Sequence, residues 1–461
     1  MWLIDHQMNL RVSEHFGQYY ARLPLTQSAT IVHGNALRID WEGVVPKREL
    51  SYILGNPPFY GARMMNSTQK DDMLNTFGKS KGVGNLDYVT AWYKKAADMM
   101  DGSVIRAAFV STNSVSQGEQ VAILWKPLMN RGIFINFGIP TFKWSNEAKG
   151  KAAVHCVIIG FSYNKTEPNI SPYLIEAPTV FIESRSKPLG DVPNMSLGNQ
   201  PIDGGHYLFT VEEKEDFLKL EPQAEKWFRP WVGSHEFINR YYRYFLFLKH
   251  CPPAELRKMP ESMKRVEAVK QFRLESTREV TRQLAETPRE FAFSNISEDT
   301  FIVVPEVSSE RRRYIPIGFL TPDILCSNLV KIVPNATLYH FGILTSNVHM
   351  AWVRVVCGRL KSDYRYSSTL VYNNFPWPDA NDEQKAAIEK LAQAVLDARA
   401  LYSDSSLADL YDPLTMPPEL LKAHRALDAA VMKLYGFSVK DTTEASCVAA
   451  LMERYRELVG K

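Results

Sequence analysis

The run Ser51-Tyr-Ile-Leu-Gly55, followed by Asn56-Pro-Pro-Phe59, decides the fold of this chain. A short apolar run that ends in a stiff polar turn predicts a strand whose carboxyl end lies at a sheet edge, where α/β proteins bind ligands. The two prolines fix φ and remove N–H donors, so the neighbouring acceptors are held in place. A bare Asn-Pro-Pro also fits an ordinary exit from a strand. The strand before it and the aromatic residue after it favour a functional site.

The four residues of this turn suit methyl transfer to an exocyclic amine that is conjugated with a ring. Such a nitrogen is a poor nucleophile because its lone pair is delocalised. The Asn56 side-chain oxygen and a neighbouring main-chain carbonyl can accept hydrogen bonds from both N–H groups and favour a tetrahedral nitrogen. Phe59 offers a face on which a planar base can stack.

The first 165 residues alternate between apolar runs and amphipathic stretches, which predicts an α/β fold with βαβ-type connections. An amphipathic helix is expected from Asp87 to Met100, and a helix from Trp2 to Phe16. The predicted strands are residues 30–33, 51–54, 104–110, 133–137 and 153–161.

Two further regions follow. Residues 166–376 are richer in proline and aromatic residues and predict an α+β domain, with a long charged helix over 261–286. Residues 377–461 predict a helical domain, whose first helix has Asn381 or Asp382 as its N-cap. Pro417-Pro418 is expected to open a later helix that Gly436 closes. The sequence Pro378-Asp379 with Glu383-Gln-Lys385 imitates a nuclease signature, but its spacing and its place at a helix start favour a cap.

Composition bounds the class of protein. A chain of 461 residues, 45% hydrophobic and 23% charged, is typical of a globular protein with two or three domains. It contains no apolar run of about 18 residues and no signal peptide at its first residues. Five cysteines lie far apart, which favours a reducing cytosol and argues against disulfides and zinc. We expect no bound metal.

Positive charge is concentrated in the middle region. Residues 226–291 hold 14 Lys/Arg against 8 Asp/Glu, and residues 301–375 hold 8 against 4. With interleaved aromatics, these surpluses suit a surface that faces phosphates; a solvated basic face is the alternative.

A nucleotide-like cofactor normally sits on a first strand and a glycine-rich turn, and neither is recognisable here. Gly82-Val-Gly84 follows the Asn-Pro-Pro-Phe turn and does not follow a first strand. We therefore expect that the sheet is partial and that the chain is truncated at its N-terminus.

Several stretches resemble the MmeI-like single-chain restriction–modification enzymes (types IIG and IIL), and Asn56-Pro-Pro-Phe59 matches motif IV of DNA adenine-N6 methyltransferases. The resemblance covers nearly the whole chain, in the family's order. The blocks are Trp2–Asn9, His33–Trp41, Leu86–Tyr93, Ser308–Pro316, Cys357–Tyr366 and Tyr372–Pro378.

The resemblance implies a class I S-adenosylmethionine-dependent (Rossmann-like) methyltransferase domain over residues 1–165. A target recognition domain would follow over 166–376, and a C-terminal helical domain over 377–461. S-adenosylmethionine is the implied methyl donor, with Asn35, Ala36, Asp87 and Tyr88 near it. Asn56, Pro57, Pro58 and Phe59 are the implied catalytic residues, acting on an adenine flipped out of double-stranded DNA. Phe142 or Trp144 could supply a second stacking face, or could belong to the core.

Base and backbone contacts are expected from the middle region. Glu310 and Arg312, two apart, would project from one face of a strand and read a G·C pair; an exposed salt bridge is the alternative. The segment Lys361-Ser-Asp-Tyr-Arg-Tyr366 suits DNA contacts or a tether between domains. The expected DNA-binding residues are Glu310, Arg312, Lys361, Tyr364, Arg365, Arg240 and Arg243, with Lys264, Arg278 and Arg282 as further phosphate ligands.

Three functions remain open from sequence. The first is a site-specific adenine-N6 DNA methyltransferase of a restriction–modification system, inactive alone because truncated, whose nuclease and glycine loop an upstream chain could supply. The second is a catalytically dead DNA-binding fragment or subunit. The third is methylation of protein glutamine or RNA guanine amines, which salt-insensitive DNA binding would favour.

Overall fold

The computed structural model describes residues 2–17, 29–144 and 154–460, and for residues 2–6 it describes the backbone alone. The chain divides into two compact units, Met1–Leu50 and Ser51–Lys461.

The first unit contains helix α1, Trp2–Phe16, as predicted, and a short helix α2, Trp41–Val44. The strand predicted at residues 30–33 is wrong, because these residues are exposed and irregular. A strand requires a neighbouring backbone for its hydrogen bonds. The described parts of residues 1–50 contain no strand that could supply one.

A four-stranded sheet opens the second unit, with the strands β1 Tyr52–Gly55, β2 Arg106–Thr112, β3 Phe134–Trp144 and β4 Val154–Ser162. Their order in the sheet is β1-β2-β4-β3. Strands β1 and β2 are parallel, and β4 runs antiparallel to both β2 and β3. The helices between them are α3 Ser67–Phe77, α4 Thr90–Met100 and α5 Gln120–Asn130.

Aromatic side chains form the core between this sheet and its helices. Tyr93 of α4 stacks on Phe161 of β4 with ring centroids 5.1 Å apart, and Phe109 and Trp125 meet the same rings edge-on or tilted. The Tyr93 hydroxyl lies 2.7 Å from that of Ser111, so this buried polar group is paired. The rigid core fixes where β1 and β2 end.

The middle region combines short helices with three small sheets, of orders β11-β9-β13-β5, β12-β7-β8-β6 and β10-β15-β14. The strands are β5 Ser196–Leu197, β6 Leu208–Phe209, β7 Phe228–Val232, β8 Arg243–Leu246, β9 Phe301–Pro305, β10 Val307–Ser308, β11 Gly318–Leu320, β12 Leu325–Cys326, β13 Val330–Val333, β14 Arg359–Leu360 and β15 Asp363–Arg365. The helices are α6 Val211–Leu220, α7 Ser234–Asn239, α8 Pro253–Leu256, α9 Pro260–Leu274, α10 Glu279–Gln283, α11 Leu338–Leu344 and α12 Asn347–Val356.

The single helix predicted over 261–286 is wrong in extent, since it breaks after Leu274 into α9 and α10. Arg273, which is 1% exposed, explains the break. Its guanidinium donates to the carbonyls of Leu284, Thr287 and Glu290, which draws the following chain back over the helix end.

The C-terminal region is helical, as predicted. Asn381 caps α13 with a capping box, Pro418 stands at the first turn of α15, and Gly436 at φ +76° follows the end of that helix. Asp379 precedes α13 and pairs with Arg454 at 2.7 Å, and Lys385 lies in the first turn of that helix, so these nuclease-like residues flank a helix start as predicted. The helices are α13 Asp382–Ala400, α14 Leu407–Leu410, α15 Pro418–Leu434 and α16 Glu444–Val459.

Three general features hold for the described residues. None of their helices is long and apolar enough to cross a membrane. They contain no group of three or more His, Cys, Asp or Glu side chains placed to hold a metal. All five cysteines are buried free thiols.

Candidate active site and nucleic-acid interface

The Asn56-Pro-Pro-Phe turn leaves the sheet at the carboxyl end of β1, next to the parallel strand β2. Asn56 is exposed, Pro57 is buried and Phe59 is half-buried. A Cβ on Gly55 would stand 3.3 Å from the buried Phe109 ring and 4.0 Å from Pro57 Cδ. The turn therefore presents the Asn56 amide to solvent while Pro57 fixes the backbone beneath it.

Asp87 holds this turn to the end of β2. One carboxylate oxygen accepts from the Ala62 backbone N–H at 3.2 Å and the Gln120 side-chain amide at 3.1 Å. The other accepts from the hydroxyls of Thr112, at 3.0 Å, and Ser114. Asp87 is 8% exposed, so one carboxylate joins the turn, β2 and α5 in a nearly water-free place.

Tyr88 holds the same turn from a second direction. Its backbone N–H donates to the Tyr60 carbonyl at 2.9 Å, and its hydroxyl donates to the buried Asp72 carboxylate at 2.7 Å. Together, Asp87 and Tyr88 fix the backbone at Tyr60 and Ala62, directly after the Asn-Pro-Pro-Phe residues.

The four residues expected near the cofactor divide between the two units. In the first unit Asn35 is exposed, its side chain accepting from Leu37 N–H at 2.9 Å, and the Ala36 carbonyl accepts from the Trp41 indole at 2.8 Å. In the second unit the polar side-chain atoms of Asp87 and Tyr88 bond to protein groups. The geometry thus gives Asp87 and Tyr88 a supporting role at the turn.

Phe142 and Trp144 lie at the carboxyl end of β3, with ring centroids 6.2 Å apart. Phe142 is half-buried and Trp144 is 39% exposed, so neither lies in the core. Their use as a second stacking face stays a prediction.

Glu310 and Arg312 are not on a strand, which corrects the expectation that they share one strand face. They lie in a turn closed by the Arg312 N–H bond to Ser309 O, 3.2 Å. Glu310 Oε1 lies 3.9 Å from both Lys143 Nζ and His155 Nε2 of the β3–β4 hairpin. Arg312 is half-buried and lies near Asp363 and Asp412. Burial lowers its pKa, against the effect of these two carboxylates.

The segment 359–366 is a β-hairpin, β14 and β15, whose turn has Lys361 at φ +58°. Tyr364 is 3% exposed and lies under the Arg359 guanidinium, 4.0 Å from the ring centroid. It cannot contact DNA in this conformation, which corrects its prediction as a DNA-binding residue. Lys361 is exposed, and Arg365 pairs with Glu306 at 3.0 Å.

Other expected phosphate ligands have protein partners. Arg240 donates to the carbonyls of Tyr402, Ser403 and Ser405, which ties it to the C-terminal region. Arg243 pairs with the buried Glu236 at 2.7 Å. Both cations therefore have structural contacts that the sequence did not indicate. Lys264 forms an ion pair with Glu261, and Arg282 donates a hydrogen bond to the Ser276 carbonyl.

A polar pocket of about 220 Å³ lies where the sheet meets the middle region. Asn113 and Gln117 reach it from the end of β2, and Lys143 and His155 from the β3–β4 hairpin. Its remaining wall includes Glu310 and Arg359. We call it the seam pocket. Beside it, Gly118 N donates to Val356 O at 3.2 Å, and a Cβ on Gly118 would stand 3.1 Å from Gly358 Cα.

Comparisons with known proteins decide the family. The DNA-methyltransferase domain of MmeI matches residues 1–172, its target recognition domain matches 176–379, and its C-terminal domain matches 380–461. The chain belongs to the MmeI family. The resemblance inferred from the sequence blocks is confirmed, and so is the class I methyltransferase fold followed by a recognition domain and a C-terminal domain.

Two similar proteins show the extent of the match. DNA methyltransferase A of Bacillus subtilis (strain 168) is 40% identical over 475 aligned residues, covering 99% of this chain and 54% of that protein. The structure of the type IIL restriction-modification enzyme MmeI in complex with DNA is 45% identical, with a TM-score of 0.88. The match covers 64% of the MmeI chain and 100% of this chain. The chain thus spans about half the length of the curated relative.

Sequence reasoning missed part of this MmeI-family site. Thr112, Ser114 and Gln120 complete the Asp87 contacts but lie 25 to 33 residues from it in sequence. The polar run Ser111-Thr-Asn-Ser114 after an apolar strand was the available signal, because polar residues at a strand's carboxyl end lie at the ligand-binding edge.

Proposed function

We propose that this chain carries the target-amine site and the recognition part of a site-specific adenine-N6 DNA methyltransferase of a restriction–modification system. The observation that carries the proposal is the Asn56-Pro-Pro-Phe turn at the carboxyl end of β1, fixed from behind by Asp87 and Tyr88. Family membership supports the same activity.

The turn would act by holding the adenine amine. The Asn56 side-chain oxygen and the Pro57 carbonyl accept its two N–H groups, which localises the nitrogen lone pair. Phe59 stacks on the flipped base, and half-burial limits the freedom of its ring. No proton acceptor with a strongly shifted pKa is needed. The nitrogen would take the methyl group as the bond from that methyl to sulfur breaks, and the methylated amine, now positively charged and strongly acidic, would then lose its proton to water.

S-adenosylmethionine would supply an electrophilic methyl group on its sulfonium. Asn35 and Ala36 are proposed to lie near its adenine, because their turn resembles the family's cofactor motif. Asp87 and Tyr88 fit a role in holding the motif turn beside the cofactor, since their polar side-chain atoms are bonded to the protein.

The recognition part is proposed to bind double-stranded DNA through residues 176–379. Four charged residues of this part are accessible to a bound duplex. They are Lys361 at the hairpin turn, the exposed Arg278 and Arg311, and Glu310 at the seam pocket. DNA affinity should fall with rising salt, because each phosphate contact releases counterions.

Asn56→Ala tests the catalytic assignment. In an active reconstituted enzyme we expect this substitution to abolish methylation of adenine and to leave sequence-specific DNA binding unchanged. The Asn56 amide is exposed and forms no hydrogen bond with the described residues, so its loss should not disturb the turn. The measurement is tritium transfer to duplex DNA beside a binding titration. Asn66→Ala is the matched control: it removes the cap of α3, costs about 1 kcal/mol of stability and keeps activity. Methylation retained by Asn56→Ala contradicts the assignment.

Binding of S-adenosylmethionine is the first measurement on the purified chain, by calorimetry with duplex DNA present. Micromolar binding indicates that this chain binds the cofactor without further segments, and methylation assays follow. DNA affinity without cofactor binding indicates a recognition fragment that needs further segments.

A further inference from the structure

Three residues that line the seam pocket each carry a buried polar atom without a hydrogen-bond partner among the described residues. The atoms are Gln117 Oε1, His155 Nε2 and Arg359 Nε. Buried polar groups in proteins are nearly always paired, so three such atoms around one cavity indicate a missing polar ligand. The cavity is also roomy, at about 220 Å³.

The chemistry of the wall selects the class of ligand. Gln117 Oε1 and the Glu310 carboxylate are acceptors, whereas Arg359 Nε and the Lys143 ammonium are donors. A phosphate has only acceptor atoms and would face the carboxylate. A cation would face Lys143 and Arg359. A nucleobase edge offers a donor next to an acceptor and matches a wall that presents both.

Among the residues that line the pocket, Gln117 has a side chain whose chemistry suits a base edge. A glutamine amide pairs with adenine in two places, its oxygen accepting from N6 and its nitrogen donating to N7. Gln117 sits in the loop after β2, and the Asn-Pro-Pro-Phe turn follows the parallel neighbour β1, so both open at one sheet edge. The close approach of Gly118 to Gly358 holds this loop against the recognition domain.

We propose that the seam pocket binds a base edge of the DNA, and that Gln117 reads an adenine there. Gln117 would then be a specificity-determining residue contributed by the methyltransferase domain, outside the target recognition domain. The inference rests on the proposed function, since it requires sequence-specific DNA binding.

The test is selection from a pool of random duplexes by the full chain, with S-adenosylmethionine present. We expect the wild-type protein to select adenine at one position where Gln117→Ala loses the preference by roughly five- to a hundredfold. Gln117→Glu, of equal size, should shift that position toward cytosine, because a carboxylate accepts from N4. Gln393→Ala, at an exposed glutamine of α13, should leave every preference unchanged.

A second arm addresses the adenine itself. Replacing it by 7-deaza-adenine removes the N7 acceptor, which should weaken binding by the wild-type protein and leave that by Gln117→Ala unaffected. Identical preferences in the wild type and both Gln117 variants, each with a wild-type melting temperature, overturn the inference alone. A wild-type protein that selects no sequence overturns the proposed function, and this inference with it.

Discussion

The carboxylate of Asp87 satisfies four protein groups, so its loss should affect both stability and the catalytic turn. We expect Asp87→Ala to lower the free energy of unfolding by about 2–3 kcal/mol, because four donors lose their acceptor in a nearly buried place. Methylation by the reconstituted enzyme should fall at saturating cofactor. Chemical unfolding and single-turnover kinetics measure the two effects. Asp98→Ala, which removes the surface ion pairs to Lys94 and Arg131, is the control and should change stability by less than about 1 kcal/mol. Equal effects of the two variants would contradict the role of Asp87.

Glu306 gives the hairpin of β14 and β15 a pH-dependent anchor. It pairs with Lys331 at 2.7 Å and Arg365 at 3.0 Å, and Lys331 is almost fully buried. Burial acts to raise the pKa of Glu306, but the two cations outweigh it and the net pKa is lowered. A lowered folded-state pKa adds stability above the unfolded pKa, and that stability is lost as pH falls through the folded value.

Glu306→Gln should therefore lower the free energy of unfolding at neutral pH by about 3 kcal/mol, because Lys331 loses its buried counter-charge. The difference from the wild type should shrink below about pH 4, where the wild-type carboxylate also gains a proton. Urea unfolding at a series of pH values measures this. A difference that stays constant down to acid pH would show that the charge of Glu306 is not the cause.

For single residues, the sequence is informative where the residues of a site are neighbours in the chain. Asn56 to Phe59 are adjacent, so a hypothesis about their chemistry could rest on their types and order. The contacts of Tyr364 and Arg240 are made by residues far along the chain, and residue type alone could not distinguish a DNA contact from a structural one. The aromatic ring of Tyr364 suits both a DNA contact and a place in the protein interior. The structure shows the second, since the ring is buried beneath the Arg359 guanidinium.

Among the elements, the recognition loop after β10 is held by the C-terminal helices. Arg311 pairs with Asp412 at 3.3 Å, and the Tyr314 hydroxyl donates to the buried Asp428 at 2.6 Å. Arg399 of α13 donates to the Ile317 carbonyl at 2.6 Å. The C-terminal domain thus fixes a loop that carries Glu310 and Arg312.

Tyr314→Phe tests this support. It leaves the Asp428 carboxylate with one fewer donor in a buried place, so we expect a loss of about 1–3 kcal/mol in unfolding free energy. Faster hydrogen exchange over residues 309–316 should accompany it. Tyr402→Phe removes a hydroxyl bonded to Glu419 at the surface and should cost less than about 0.5 kcal/mol. Unchanged exchange in the loop would contradict the support.

Elements were predictable where local pattern and tertiary contacts agree. The four sheet strands follow apolar runs, and α13 and α15 follow their capping residues. The predictions that failed did so for tertiary reasons. Residues 30–33 have the residue types of a strand, but no described strand lies beside them to pair with. Arg273 breaks the helix predicted over 261–286. The Glu310 turn has the alternating pattern of a strand, but its backbone closes on Ser309.

For the whole molecule, one outer strand of the main sheet carries exposed apolar side chains. β1 is an outer strand, and no described strand pairs with its other side. Tyr52 and Leu54 on it are 64% and 75% exposed. An exposed edge with apolar side chains promotes pairing with another chain.

We therefore expect the purified chain to self-associate as its concentration rises, with light scattering coupled to size exclusion as the measurement. Leu54→Lys should reduce the association, because a charge on an edge strand opposes strand pairing. Leu220→Lys is the matched control: Leu220 is 74% exposed at the end of helix α6, and its change should leave the association as it is. A monomeric wild-type chain with one cooperative melt would show that the β1 edge needs no partner, and equal effects of the two lysines would assign the association to general surface hydrophobicity.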